Sequence, residues 1–206
     1  MLAVGGDLSI ERLITAYAHG IFPWYGDDEP IMWWFPDPRC VLYPERIKIS
    51  RSLRQTLRRK TFTITWNQAF EQVIACCRTV ERKEQPSTWI VPEMQHAYCA
   101  LHRSGYAHSV EVWQEGQLVG GLYGVAMGKL FYGESMFSLQ RDASKVALVH
   151  MCQRLQALGF RLIDCQQDTP HLRSLGAELM PRETFYAFVR RNLVECLRAG
   201  ARVDLG

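Results

Sequence analysis

Apolar side chains at Ile10, Leu13, Ile14 and Tyr17 recur at the spacing of one helix face, with Ser9 ahead and Gly20 behind. A short helix over 9–20, capped by Ser9, follows from that spacing. Ser50 and the stripe after it predict a helix over 51–60, and Phe62–Thr65 reads as a short strand. Phe70, Val73 and Ile74 face inward on an expected helix over 67–77. A polar stretch, 78–87, reads as a loop, and Thr88-Trp89-Ile90-Val91-Pro92 leads into a helix ending near Gly105. The period then changes to two. Ala107–Trp113, Leu118–Ala126 and Lys129–Phe137 alternate and are joined by Glu-Gly-Gln and Met-Gly-Lys turns, which predicts an antiparallel meander. A long amphipathic helix over 143–158, a strand over 161–166 and a terminal helix with Pro181 and Glu183 in its first turn complete the pattern.

One stretch fits neither period. Between Ile21 and Pro44 lie five prolines and three tryptophans. That proline density forbids a helix and interrupts a ladder, so an irregular, aromatic segment packed on the protein or on a ligand is expected. Together these features suggest an α+β fold. A small basic, Trp- and Pro-rich N-terminal lobe spans 1–65, and the remaining 66–206 forms the larger domain.

The 206 residues are 48% apolar and 22% charged, which suits a globular chain and excludes disorder, collagen and coiled coil. No apolar run reaches membrane-spanning length, and the N-terminus lacks the charge and apolar pattern of a signal peptide. The seven cysteines are odd in number and have no Cys-x-x-Cys spacing. Reduced, buried thiols in a cytoplasmic protein are expected, with no zinc site.

The net charge of +3 understates the local field. From Arg46 to Lys60 run Arg46, Lys48, Arg51, Arg54, Arg58, Arg59 and Lys60, with no acidic residue among them. Such a run is either a solvated helix face or a phosphate-binding patch. Its position beside aromatic rings favours nucleic acid, with phosphates on the cations and bases on the rings. Polar residues inside apolar strands form the second signal. Glu134 interrupts one strand, and Asp164 and Gln166 share one face of another. Buried carboxylates need partners or a purpose. No phosphate-cradling loop, dinucleotide fingerprint or metalloprotease motif is present.

Several strings occur together in order: Val4-Gly5-Gly6-Asp7-Leu8-Ser9, Gly20-Ile21-Phe22-Pro23-Trp24, Trp33-Trp34-Phe35-Pro36-Asp37-Pro38-Arg39, Gly133-Glu134-Ser135-Met136-Phe137-Ser138 and Leu162-Ile163-Asp164-Cys165-Gln166. The chain resembles, over nearly its whole length, the bacterial leucyl/phenylalanyl-tRNA–protein transferase family. The resemblance implies an acetyltransferase-like (GNAT-like) catalytic domain that needs no cofactor and no metal. It implies transfer of Leu or Phe, less well Met, from aminoacyl-tRNA to proteins with N-terminal Arg or Lys, marking them for Clp-dependent degradation. Asp164 and Gln166 correspond to the catalytic pair, with Gln166 holding the attacking amine and Asp164 orienting Gln166. Trp24, Trp89, Tyr98 and Glu134 correspond to the site for the 3′-terminal adenosine and the acceptor. Leu122, Phe131, Leu148, Met151, Leu155 and Ile163 correspond to the donor side-chain pocket, and the basic run to tRNA contacts. A cytoplasmic monomer is expected. Family members usually carry further residues ahead of the Gly5-Gly6-Asp7 string, which leaves a short form, a misassigned start and a trimmed chain open. An acetyl-CoA acetyltransferase and a non-catalytic RNA-binding module are the alternatives. The first lacks its pyrophosphate loop after Phe137, and the second has no need of Glu134, Asp164 and Gln166.

Overall fold

The structure, a computed structural model, describes residues 1–80, 89–199 and 202–205. From residue 81 the expected polar loop lies outside the described residues, as does Thr88. The elements run β1 (Ala3–Val4), α1 (Ile10–Ala18), β2 (Phe22–Pro23), β3 (Met32–Trp34), β4 (Arg39–Leu42), α2 (Arg51–Arg59), β5 (Thr63–Trp66), α3 (Phe70–Thr79), α4 (Pro92–Arg103), β6 (Ala107–Gln114), β7 (Gln117–Met127), β8 (Leu130–Ser138), α5 (Ala143–Ala157), β9 (Leu162–Gln166), α6 (Pro170–Ser174), β10 (Glu178–Met180) and α7 (Arg182–Ala199). The class is α+β, as the pattern implied.

Two sheets organise these elements. A three-stranded sheet has the order β1-β3-β2, and a seven-stranded sheet the order β10-β4-β9-β8-β7-β6-β5. The Pro-rich segment is therefore less irregular than expected. It holds β2, β3 and β4, each kept to two to four residues by the prolines around it. Trp33 is buried and Trp34 half-buried, and their indole N–H groups donate to Gly5 O and Trp24 O.

The sheets do not divide at residue 65. Strand β4 sits between β9 and β10 inside the large sheet, and β5 closes its far edge against β6. Only the chain up to β3 belongs to the small sheet. All four residues of β4 are buried, as a strand covered on both faces requires.

The meander β6-β7-β8 is antiparallel throughout, and among the described residues β8 and β9 form the one parallel pair in the large sheet. Helices cover both faces. Tyr17, Ile74, Tyr98 and Phe185 pack with Tyr123 and Tyr132 on one side, and Leu53, Val149, Cys152 and Leu155 pack with Val110, Ala126 and Phe131 on the other. Close approach depends on glycine. A Cβ on Gly124 would lie 2.1 Å from Tyr132 O, and one on Gly120 would lie 2.5 Å from Ala143 Cβ, where α5 begins.

Local details depart from expectation in two places. Ser9 precedes α1 without a side-chain cap, and its own N–H donates to Asp7 Oδ1. Ser50 caps α2 as expected, its hydroxyl accepting from Leu53 N. Helix α6 and strand β10 were not anticipated, being only five and three residues long. No described helix is long and apolar enough to cross a membrane.

Candidate active site

The parallel pair opens the site. Pairing between β8 and β9 runs from Leu130–Leu162 to Tyr132–Asp164 and ends there. The residues that follow on both strands, Gly133–Met136 and Cys165–Gln166, line a cavity of about 610 Å³. Leu122, Phe131, Leu148 and Ile163 supply its apolar wall, and Trp24 and Trp89 reach it from the small sheet and from the approach to α4. The structure thus brings these six residues together around one cavity. Met151 and Leu155 do not line the cavity. They follow Leu148 along α5, where the helix turns into the core, and both are fully buried.

Glu134 is the centre of the polar part. Its carboxylate accepts from Tyr17 Oη at 2.8 Å, from Tyr98 Oη at 3.0 Å and from Gln166 Nε2 at 3.2 Å. The two tyrosine hydroxyls also touch each other, so their two protons are shared among three contacts, and Tyr132 Oη donates to Tyr17 O at 2.5 Å. Burial pushes the Glu134 carboxyl up to about 7, against the opposing pull of the Tyr17 and Tyr98 hydrogen bonds. Burial likewise holds both tyrosine hydroxyls well above their ordinary range, so they stay protonated donors. Tyr98 thus lies beneath Glu134, holding it, and is not part of the cavity lining. Tyr17 was read only as one member of an apolar stripe. Its hydroxyl is the feature that stripe conceals.

Asp164 meets Gln166 through the backbone and not through the carboxamide. It is fully buried, and Arg39, equally buried, pairs with it through Nε–Oδ1 at 2.8 Å and Nη2–Oδ2 at 2.6 Å. Its Oδ1 also accepts the Gln166 backbone N–H at 2.9 Å. Asp164 therefore grips the backbone of Gln166, and the Gln166 side chain reaches Glu134 instead. Gln166 itself has φ +62°. Arg39 was missed, although an arginine opening the apolar strand Arg39-Cys40-Val41-Leu42 is the same kind of signal that singled out Glu134.

The basic run is solvent-facing. Arg46, Lys48, Arg51, Arg54, Arg58, Arg59 and Lys60 are all exposed. Arg46 stacks on Tyr43 and lies 3.9 Å from Glu45, and the other six form no ion pair with a described residue. Helix α2 is held to the body by Leu53 and by Thr56 Oγ1 on Asp142. Lys48 N donates to Leu175 O at 2.9 Å, just past α6, and Leu172 of α6 lines the cavity. The basic run is thereby tied to an element that lines the cavity.

Comparison with known proteins gives one family. The description "Leucyl/phenylalanyl-tRNA protein transferase" matches residues 41–190, and that of the N-terminal domain of the same family matches 6–37. The N-terminal match ends just before β4 and the longer one begins inside it, so the division falls where the chain leaves the small sheet for the large one. Relatives named leucyl/phenylalanyl-tRNA–protein transferase include one from Syntrophobacter fumaroxidans, 58% identical over 95% of this chain and 83% of its own. Another, from Chromobacterium violaceum, is 55% identical over 94% of this chain and 82% of its own. Among solved structures, the C-terminal domain of a candidate lysylphosphatidylglycerol synthetase from Agrobacterium fabrum shares the fold, with 11% identity, coverage of 95% and 73%, and a TM-score of 0.50. A GCN5-related N-acetyltransferase from Kribbella flavida is also similar, with 12% identity, coverage of 80% and 58%, and a TM-score of 0.42. With both family descriptions matched in chain order and relatives of that name more than half identical, the chain belongs to the leucyl/phenylalanyl-tRNA–protein transferases, which are aminoacyltransferases.

Proposed function

We propose that this enzyme takes Leu or Phe, and less well Met, from aminoacyl-tRNA and joins it to the N-terminal Arg or Lys of a protein, creating a signal for Clp-dependent degradation in the cytoplasm. One observation carries the reading. A single cavity combines two tryptophan rings, an apolar wall and the Glu134–Gln166 pair.

The donor ester is already activated, so the reaction needs placement more than added energy. The neutral α-amine of the acceptor attacks the ester carbonyl. The C–N bond forms through an oxyanion, the C–O bond to the ribose of the 3′-terminal adenosine breaks, and the amine proton passes to the leaving oxygen. Placement alone supplies roughly 7–11 kcal/mol of such a barrier. The Leu or Phe side chain sits against Leu122, Phe131, Leu148 and Ile163, and the terminal adenine stacks on Trp24 or Trp89. The Gln166 amide N–H₂ is taken by Glu134, which turns its carbonyl oxygen toward the incoming amine as a hydrogen-bond acceptor. An amide is too weak a base to remove a proton outright, so Gln166 aligns the lone pair of the amine. Glu134 attracts the cationic acceptor. Asp164, its charge matched by Arg39, has no part in that attraction. The basic run tracks the tRNA phosphates.

The test is to mix the protein with radiolabelled Leu-tRNA or Phe-tRNA and an acceptor bearing N-terminal Arg. Label in the acceptor is the expected result. Intact tRNA binding with no transfer leaves the RNA-binding reading in its place.

A further inference from the structure

We propose that Arg39 is a positioning residue for aminoacyl transfer: through Asp164 it fixes the backbone of Gln166 in the left-handed conformation that carries the Gln166 carboxamide to Glu134 and the cavity. This rests on the transferase reading above and names a residue that touches no substrate.

Gln166 holds a left-handed backbone. A φ of +62° is disfavoured for a side chain with a Cβ and persists only where its surroundings hold it. Two bonds do so. The Gln166 N–H is held by Asp164 Oδ1, and the Gln166 amide by Glu134 Oε1. The first depends on where the Asp164 carboxylate points, and Arg39 decides that by gripping both of its oxygens. A bidentate fork fixes the plane of the carboxylate, which a single-point cation cannot do.

Arg39 is fixed in turn. Its Nη2 also donates to Gly20 O at 2.9 Å, just after α1. Its guanidinium lies over the rings of Phe22, Phe35 and Phe185, at 4.8, 5.4 and 4.6 Å from their centroids. These contacts come from the small sheet, the segment after it and α7. Next to Arg39, the pairing of β4 with β9 shifts register between Cys40 and Val41, and Cys40 is the partner of Gln166. The backbone irregularity, the buried ion pair and the left-handed residue thus adjoin one another. The alternative, an ion pair serving stability alone, leaves the aim of the pair at a strained residue in the site without explanation.

The test compares Arg39→Lys with wild type in transfer from Phe-tRNA to a peptide with N-terminal Arg, alongside filter binding of Phe-tRNA and hydrogen exchange at the Gln166 amide. Lysine keeps the charge but loses the fork. The expected result is a kcat lower by roughly 100-fold, the scale of a small misplacement of a reacting group. The KM for Phe-tRNA and its binding stay unchanged, and exchange at Gln166 quickens. Wild-type kcat, or a loss appearing in KM instead, overturns the proposal. Where Arg39→Lys does not fold, Arg39→Gln combined with Asp164→Asn provides an uncharged pair that can still bond the Gln166 N–H. Slow exchange at Gln166 and recovered transfer, relative to Arg39→Gln alone, support positioning. Rapid exchange in that folded pair overturns it. A wild-type protein that transfers nothing counts against the transferase reading, and the exchange measurement still decides the role of Arg39.

Discussion

Tyr17 and Gln166 donate to the same oxygen, Oε1 of Glu134, from a helix near the start of the chain and from the end of a strand nearly 150 residues later. The carboxylate between them is both the most buried acid facing the cavity and the one whose titration matters most.

Stability should carry its mark. Unfolded, Glu134 titrates near 4.5; folded, it titrates at about 7. Between these values the folded chain holds a proton that the unfolded chain has released, so this contribution is full in acid and is lost as pH rises through about 7. Glu134→Gln removes the titration. The wild-type minus Glu134→Gln difference in unfolding free energy, from urea melts, should fall by roughly 3 kcal/mol between about pH 4 and about pH 8. A flat difference would contradict the burial described for this side chain.

Transfer should rise with pH through the same midpoint, since ionised Glu134 is the form that accepts three donors. Tyr17→Phe and Tyr98→Phe each delete a bond that lowers the Glu134 midpoint. Each variant should move the acidic limb of the pH–rate profile upward, and each should cost about 1–3 kcal/mol in stability for the partner left unsatisfied.

Asp164→Ala should destabilise strongly, by roughly 3–5 kcal/mol, because it strands the buried Arg39 guanidinium. A thermal melt of the variant checks it.

Trp24→Ala and Trp89→Ala should weaken aminoacyl-tRNA by roughly 1–3 kcal/mol for whichever ring holds the terminal base. Trp33→Phe, a change inside the core, should leave that affinity alone. Equilibrium binding of an aminoacyl-adenosine analogue separates these cases.

Replacing Arg51, Arg54 and Arg58 with Glu should lower tRNA affinity and flatten its dependence on salt. Unchanged slopes would return α2 to the status of a solvated face.

Much of this architecture was legible in the sequence because its signals are local. The alternation of β6 to β8, the long stripe of α5 and the basic run of α2 each declare themselves within one continuous stretch of chain. Polar residues in apolar strands also pointed to Glu134, Asp164 and Gln166. That signal is not selective, however. Glu111 is equally buried in β6, where Ser109, Thr65 and the Gln68 N–H satisfy it far from any role in the cavity. What stayed hidden depends on distant partners. Arg39 has meaning only beside Asp164, Tyr17 only beside Glu134, and β4 only once β9 and β10 lie on either side of it. Met151 and Leu155 were misplaced for a related reason. Helical spacing shows which face is apolar, and only the packed helix shows where along that face the cavity stops.

The placement of β4 also sets a timetable. Arg39 leaves the ribosome 125 residues before Asp164. At about 5–20 residues per second, that is a wait of roughly 6–25 s with its future partner still unmade. Through that interval the guanidinium and the rings around it have no strand β9 to close upon. The proposed site is therefore among the last parts of the molecule to exist, and a chain cut short before residue 164 cannot have completed it.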